Sequence, residues 1–267
     1  MASHFTSLGF KISDMEDFQN HFRLVYQNGE KISCELGTYI KWSVGNGVEL
    51  WGQIDKNGAA IGLNPHFIGN SKTTVKLESK VIREDDTMLD GAFHCWSDPQ
   101  RINSDEGAYP FVFDSPDICT YKDIKTPQIV NAQITGFAHE ISAYKNEEEF
   151  QNSQKNEPNF ASKSFIPAGL FKPNGDNVDS PRAMAIFTGH VLETSSCKNP
   201  HSENEFIWAR VSTLGAEFDI VIDPEILEGQ IKVGAIVSGM FWLSGRIIGD
   251  YDKVEKGFRL SNLFKKK

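Results

Sequence analysis

The chain has no CxxC pair. Its four cysteines, Cys34, Cys95, Cys119 and Cys197, stand far apart, which excludes zinc-knuckle and thioredoxin-type motifs and leaves free thiols as the expectation. Long apolar runs are missing too. The longest, near 235–243, falls well short of the ~20 residues a membrane-crossing helix needs, and residues 1–10 lack the basic start and apolar centre of a signal peptide. A cytoplasmic location with no membrane partner is therefore expected. Basic charge is scarce: 27 Lys and Arg face 36 Asp and Glu, a formal net charge of -9. Such a surface repels phosphate backbones and disfavours nucleic acid as a partner. No glycine-rich phosphate loop and no catalytic signature is present, so local motifs do not disclose a function.

What the chain does contain is strand-forming sequence. At 39% hydrophobic and 24% charged it has the composition of an ordinary globular protein with one large core or two modest ones. Residues 182–248 carry β-branched and aromatic runs broken by turn residues, the pattern of consecutive strands in a small closed sheet. Within it Phe218, Ile220 and Ile222 alternate with Asp219, Val221 and Asp223, which predicts one buried face and one solvated acidic face. A loop is expected over 195–205. Residues 128–144 fit a helix or a strand by spacing; the strand is favoured because Ile134-Thr135-Gly136 returns as Phe187-Thr188-Gly189. A short polar helix over 147–154 and an ordered loop over 156–179 complete this half.

The first third reads as strand, helix and meander. Residues 3–12 alternate as a strand, and Ser13 with Glu16 forms a capping box. Met15, Phe18, Phe22 and Val25 then give one helical face, ended by a left-handed stop at Asn28-Gly29. Three strands, 37–44, 48–54 and 59–63, are joined by Asn46-Gly47 and Asn57-Gly58, both hairpin signals. Strands over 73–82, 89–96 and 109–113 follow, separated by a polar loop over 97–107 and leading to a proline-rich connection at 114–127.

That order of elements resembles one module of the vicinal oxygen chelate superfamily, which includes glyoxalase and bleomycin-resistance proteins. The resemblance covers about the first 70 residues, and it implies a divalent metal that polarises a substrate oxygen. The position of the family's first-strand ligand falls on Ser7, three residues past His4. Its acidic ligand on the last meander strand falls among Ile61, Gly62 and Leu63. Glu49, on the preceding strand, and the imidazoles His66 and His94 are the remaining candidates for a metal. The strands over 73–113 read as a second such module without its helix, and a pair of modules implies a cleft lined by Trp42, Trp51 and Trp96.

The last third is compatible with an OB-like barrel. Trp208, Arg210, Trp242 and Arg246 supply its aromatic and guanidinium groups, the pairing that single-strand nucleic-acid binders use. Over most of its length, in Glu49-Leu-Trp51, Asn64-Pro65-His66-Phe67, Tyr109-Pro-Phe-Val-Phe-Asp114 and Phe241-Trp-Leu-Ser-Gly-Arg246, the chain resembles a set of bacterial proteins without an assigned activity. That implies only that the two parts occur together.

The expected fold is α+β and β-rich, a βαβββ-type unit followed by a small β-barrel-like unit. Residues 1–122 form the α+β part, 128–250 the OB-like part and 251–267 a basic tail. The expected function is binding of a small molecule or a protein without catalysis and without a cofactor. The alternatives are a divalent-metal enzyme of the vicinal oxygen chelate kind and a single-strand nucleic-acid binder.

Overall fold

The computed structural model describes residues 3–100, 102, 107–121, 123–155, 159–170 and 180–249. The basic tail expected over 251–267 lies outside the described residues, as do parts of the loops expected over 97–107 and 156–179. The chain is α+β and β-rich.

Its first residues do not form a strand. Thr6–Leu8 make a 3-10 turn, closed by Gly9 at φ 75°, whose N–H donates to the Thr6 carbonyl. Ser3 and Thr6 exchange backbone-to-hydroxyl hydrogen bonds at 3.2 Å, which satisfies locally the groups a strand would pair with a neighbour. Helix α1 (Met15–Asn28) is capped one residue later than expected. Asp14 accepts from the Asp17 N–H at 2.8 Å, and the Asp17 carboxylate takes the Ser13 N–H and hydroxyl, each at 3.0 Å. A carboxylate at the helix start meets the positive end of the macrodipole. Gly29 is extended rather than left-handed; a Cβ there would stand 2.6 Å from Ile40, so close approach accounts for the glycine.

The helix packs Phe18, Phe22 and Val25 against Ile40, Leu50 and Leu63. These belong to an antiparallel sheet in the order β1 (Glu30–Ser33), β2 (Gly37–Gly45), β3 (Val48–Asp55), β4 (Ala60–Phe67). The β2–β3 turn has Asn46 at φ 52° and Gly47 at φ 80°, the conformation that Asn-Gly favours. Strand β3 is covered on both sides. Val48 and Leu50 lie in the cluster that includes the helix, whereas Trp51 and Gln53 look the other way; the Gln53 side chain donates to Asp90 at 2.6 Å.

The second sheet has as its spine β8 (Gln128–Tyr144) and β14 (Ile236–Ile248), antiparallel along most of their length. One edge of β8 is occupied in turn by β5 (Thr73–Val81), by β12 (Ala216–Ile222) and by β13 (Leu227–Gly229). The far edge of β14 carries β10 (Met184–Lys198) and, through Ser244 alone, β7 (Pro110–Asp114). With β6 (Ala92–Ser97) between β5 and β7, and β11 (Glu205–Thr213) between β10 and β12, two rings share the spine. Short β9 (Ser164–Ile166) flanks β10, and helix α2 (Glu147–Ser153) follows β8. The strands over 73–114 therefore close onto the spine instead of repeating the N-terminal unit. One core runs from Val75 and Phe93 through to Phe218 and Phe241.

Aromatic packing fills the ring of β8, β12, β11, β10 and β14. Phe187 stacks on Phe241 with centroids 4.1 Å apart, and Phe165 and Phe218 pack alongside. Full burial of each such ring contributes roughly 1.5–3 kcal/mol. Strand β10 continues past 195, where a loop was expected. A bulge between Val191 and Glu193 lets it leave β14 and continue along β11.

The acidic face of β12 is also not solvated. Asp219 is fully buried because the N-terminal unit covers the outside of this ring, with Leu8, Phe10, Phe137, Phe206 and Val221 in one cluster. Among the described residues no helix is long and apolar enough to cross a membrane, and all four cysteines are free thiols.

Candidate functional site

A cleft of about 380 Å³ opens where the N-terminal unit meets the spine. Seven separate stretches of chain line it, contributing among others His4, Asn64, Arg83, Asp114, His139, Arg182 and Trp242. Its volume lies in the range of small-molecule sites.

His139 owes its position to an irregularity in the spine. Met240 pairs with Glu140 and Phe241 with Ala138, so His139 is the unpaired residue of a β-bulge. The bulge puts the imidazole beside Trp242, a common use of bulges near sites. His4 arrives on the chain just before the 3-10 turn and stacks on the Trp242 indole, centroids 4.0 Å apart and planes 9° from parallel. The two imidazoles meet with their Nε2 atoms 2.8 Å apart. Burial, and then the facing His139, push the His4 imidazole down to about 3. Burial also lowers His139, against the opposing pull of Glu140. Both rings are thus neutral at pH 7, and one Nε2–H donates to the lone pair of the other.

Behind Trp242 lies an ionic chain. The indole N–H donates to Asp114 Oδ2 at 2.6 Å, and Arg83 Nη2 donates to Asp114 Oδ1 at 2.7 Å. Burial raises the Asp114 carboxyl above its ordinary range, with Arg83 and the Trp242 N–H pulling it back. The Arg83 Nε–H caps the Pro181 carbonyl at 2.9 Å, and its backbone N–H donates to Asp86 at 2.8 Å. On another wall Asp90 accepts from Gln53 at 2.6 Å and Asn64 at 2.8 Å, tying the loop to β3 and β4. These contacts hold the walls in place before any ligand arrives.

Of the residues singled out from sequence, Trp242 alone lines this cleft. Glu49 and His66 are register partners on β3 and β4. The Glu49 carboxylate, however, is already engaged by Ser43 at 3.1 Å, Trp51 Nε1 at 3.0 Å and Lys41 at 3.0 Å. His66 is fully buried, with Nδ1 at 2.9 Å from the Ser244 hydroxyl and no partner for Nε2. Burial, with Arg246 and Lys41, drives it down to about 3. His94 stands on β6 between β5 and β7, in the other sheet. Among the described residues no three His, Cys, Asp or Glu groups converge as metal ligands, and the structure places His94 in a different sheet from the Glu49 and His66 pair.

The other candidates are spread over the surface and the interface. Trp51 is buried beneath Arg246, 5.0 Å from its ring centroid, and Arg246 is paired with Asp117 at 2.7 Å. Trp42 meets His201 edge-on at 5.0 Å, and Trp96 is half-buried on β6. Trp208 donates to Asp219 at 2.8 Å, while Arg210 is held between Glu193 at 2.7 Å and Glu217 at 2.5 Å.

Sequence reasoning missed His139, Arg83, Asp86, Asp90 and Asp114, and passed over His4. The one local signal was the alternation of Phe137, His139 and Ile141, and the bulge breaks that alternation. Comparison with protein-family models, with curated proteins and with solved structures gives no match.

Proposed function

We propose that this is a small-molecule-binding protein whose ligand is a polar compound, neutral or positively charged, held in the cleft beside Trp242. The observation that carries the reading is the convergence of a fixed aromatic, two neutral imidazoles and hydrogen-bonded carboxylates on one concave space. Asp86, Asp90 and Asp114 outnumber Arg83 and Arg182 along its wall, which disfavours anions. The Trp242 ring and the imidazole stacked on it supply apolar contact, and the surrounding polar groups fix orientation.

Thermal-shift and native mass spectrometry screens against polar and cationic metabolites test the proposal. It requires a ligand that stabilises the wild type, loses that effect in Trp242→Ala and keeps it in Trp42→Ala, which lies outside the cleft. A ligand that ignores the Trp242 substitution, or a screen in which nothing binds, counts against it.

A further inference from the structure

We infer that Cys34 and Cys119 form a dithiol site that a small-molecule disulfide oxidises to an intramolecular disulfide, bridging the N-terminal sheet to the chain between β7 and β8. The site goes beyond the small-molecule reading and does not rest on it, because neither cysteine lines the cleft.

Tyr39, fully buried on β2, ties the two segments together. Its hydroxyl donates to the Leu89 carbonyl at 2.6 Å and accepts from the Cys119 N–H at 3.1 Å. Cys119 belongs to the 3-10 turn Ile118–Tyr121, which follows β7. Opposite Tyr39 on β1 stands Ile32. Cys34, two residues on, packs with Ile32 against the cluster of Tyr39, Trp51 and Leu89, and so does Cys119. The Cys34 N–H donates to the Gly37 carbonyl at 2.9 Å, which closes the β1–β2 hairpin beside the thiol. Hydrogen-bonded backbone on either side thus brings together two cysteines that are far apart in sequence.

The side chains themselves meet. Burial, and then a hydrogen bond with the Cys119 side chain, raise the Cys34 thiol above its ordinary range. Such contact is what a disulfide needs, since its two Cβ atoms stand ~3.5–4.5 Å apart and a wider gap is closed only by moving backbone. Both residues are partly exposed, so a small reagent reaches them. The other two thiols stand apart, Cys95 buried on β6 and Cys197 on β10.

Exchange proceeds in two steps. Cys34, held towards its protonated form by its surroundings, is the poorer first nucleophile, and Cys119 has the Lys80 ammonium within electrostatic reach. The Cys119 thiolate attacks one sulfur of the reagent, whose S–S bond breaks and releases one thiolate, leaving a mixed disulfide on Cys119. Cys34 then gives up its proton and attacks the Cys119 sulfur, expelling the second half of the reagent as a thiolate. The two protons lost by the protein end on the two released thiols, and the two electrons lost by its sulfurs reduce the reagent. The bridge pins the β1–β2 hairpin to the stretch whose Asp114, Ser115 and Pro116 line the cleft.

The test uses the full chain, reduced, freed of reductant and treated with glutathione disulfide. The wild-type intact mass is expected to fall by two hydrogens, two of the four thiols to disappear from titration, and peptide mapping to join Cys34 to Cys119. Cys197→Ser is expected to form the same bridge, while Cys34→Ser stops at the mixed disulfide and gains the mass of one glutathione unit. The urea midpoint of the bridged wild type is expected to lie above that of the reduced protein, because the cross-link restricts the unfolded chain. A wild type that keeps four thiols overturns the inference, and so does one that stops at mixed disulfides or joins another pair of cysteines; none of these readings needs a variant. Bridged protein that unfolds at less urea than the reduced form overturns it as well, since the bond is then forced on the fold. All are read on ligand-free protein, so the two proposals fail separately.

Discussion

The place where a side chain would begin on Gly69 is filled by the carboxylate of Asp219. Asp219 is fully buried. It accepts from the Asn70 N–H at 3.0 Å, the Ser71 N–H at 2.9 Å, Gln133 Nε2 at 2.8 Å and Trp208 Nε1 at 2.8 Å. One side chain thereby fastens the link between the two sheets onto β12 and reaches β8 and β11 as well.

Gly69→Ala should therefore destabilise the protein by ~1–3 kcal/mol, the usual cost of an extra carbon in filled space, because four donors keep the carboxylate from moving aside. Asp219→Ala should cost ~3 kcal/mol or more, since it strands those donors without an acceptor. Urea unfolding monitored by tryptophan fluorescence measures both. Equal midpoints for wild type and Gly69→Ala would show that the linker relaxes freely.

Breaking the pair behind Trp242 should show strong coupling. Arg83 and Asp114 have side chains 8% and 24% exposed and meet at 2.7 Å. Asp114→Ala leaves a poorly hydrated guanidinium and should cost ~3–5 kcal/mol. Arg83→Met added to Asp114→Ala should recover ~1–3 kcal/mol of that loss, the range of interaction energies between contacting residues. A double variant whose loss is the sum of the two single losses would rule the coupling out.

The fold was legible where its determinants are local, and the site was not because its determinants are remote. Strand β8 was expected over its observed span of residues 128–144, although its spacing fitted a helix equally and only the return of Ile134-Thr135-Gly136 as Phe187-Thr188-Gly189 favoured the strand. The Asn46-Gly47 hairpin was read because turn residues act within a few positions. Period-two alternation in β12 correctly separated Phe218 from Asp219. It carries no information on whether a second layer covers the outer face, and here the 3-10 turn and α1 do. The cleft draws on both ends of the chain, with His4 and Trp242 in contact. Its key histidine, His139, is aimed by a bulge that leaves no signature in side-chain pattern.

Acid should weaken the protein well before its carboxylates titrate. His4 and His66 each fall from an ordinary 6.5 to about 3 in the folded state, and His94 and His139 are lowered too. The unfolded chain then binds protons that the folded one refuses, so stability is complete above about pH 6.5 and declines as pH falls towards 3. His4 and His66 each steepen the decline by up to ~1.4 kcal/mol per pH unit in that window, and His94 and His139 add to it in the same direction. Urea midpoints at pH 7.5, 6.0 and 5.0 should fall in that order, less steeply in His4→Phe. A flat profile from 7.5 to 5.0 would mean that the buried imidazoles accept protons in place.

Arg210 was a candidate for gripping nucleic acid, and its surroundings argue about how. The guanidinium is clamped by Glu193 and Glu217, and its neighbour Trp208 is committed to Asp219. A phosphate reaching this strand pair meets two carboxylates before it meets the arginine. The wild type is accordingly expected to give no salt-dependent anisotropy change with a fluorescent single-stranded oligonucleotide. Glu193→Gln with Glu217→Gln should release Arg210 and create weak binding that weakens further as salt rises. Tight, salt-sensitive binding by the wild type would mean that the clamp opens for phosphate and would reinstate this face as a nucleic-acid surface.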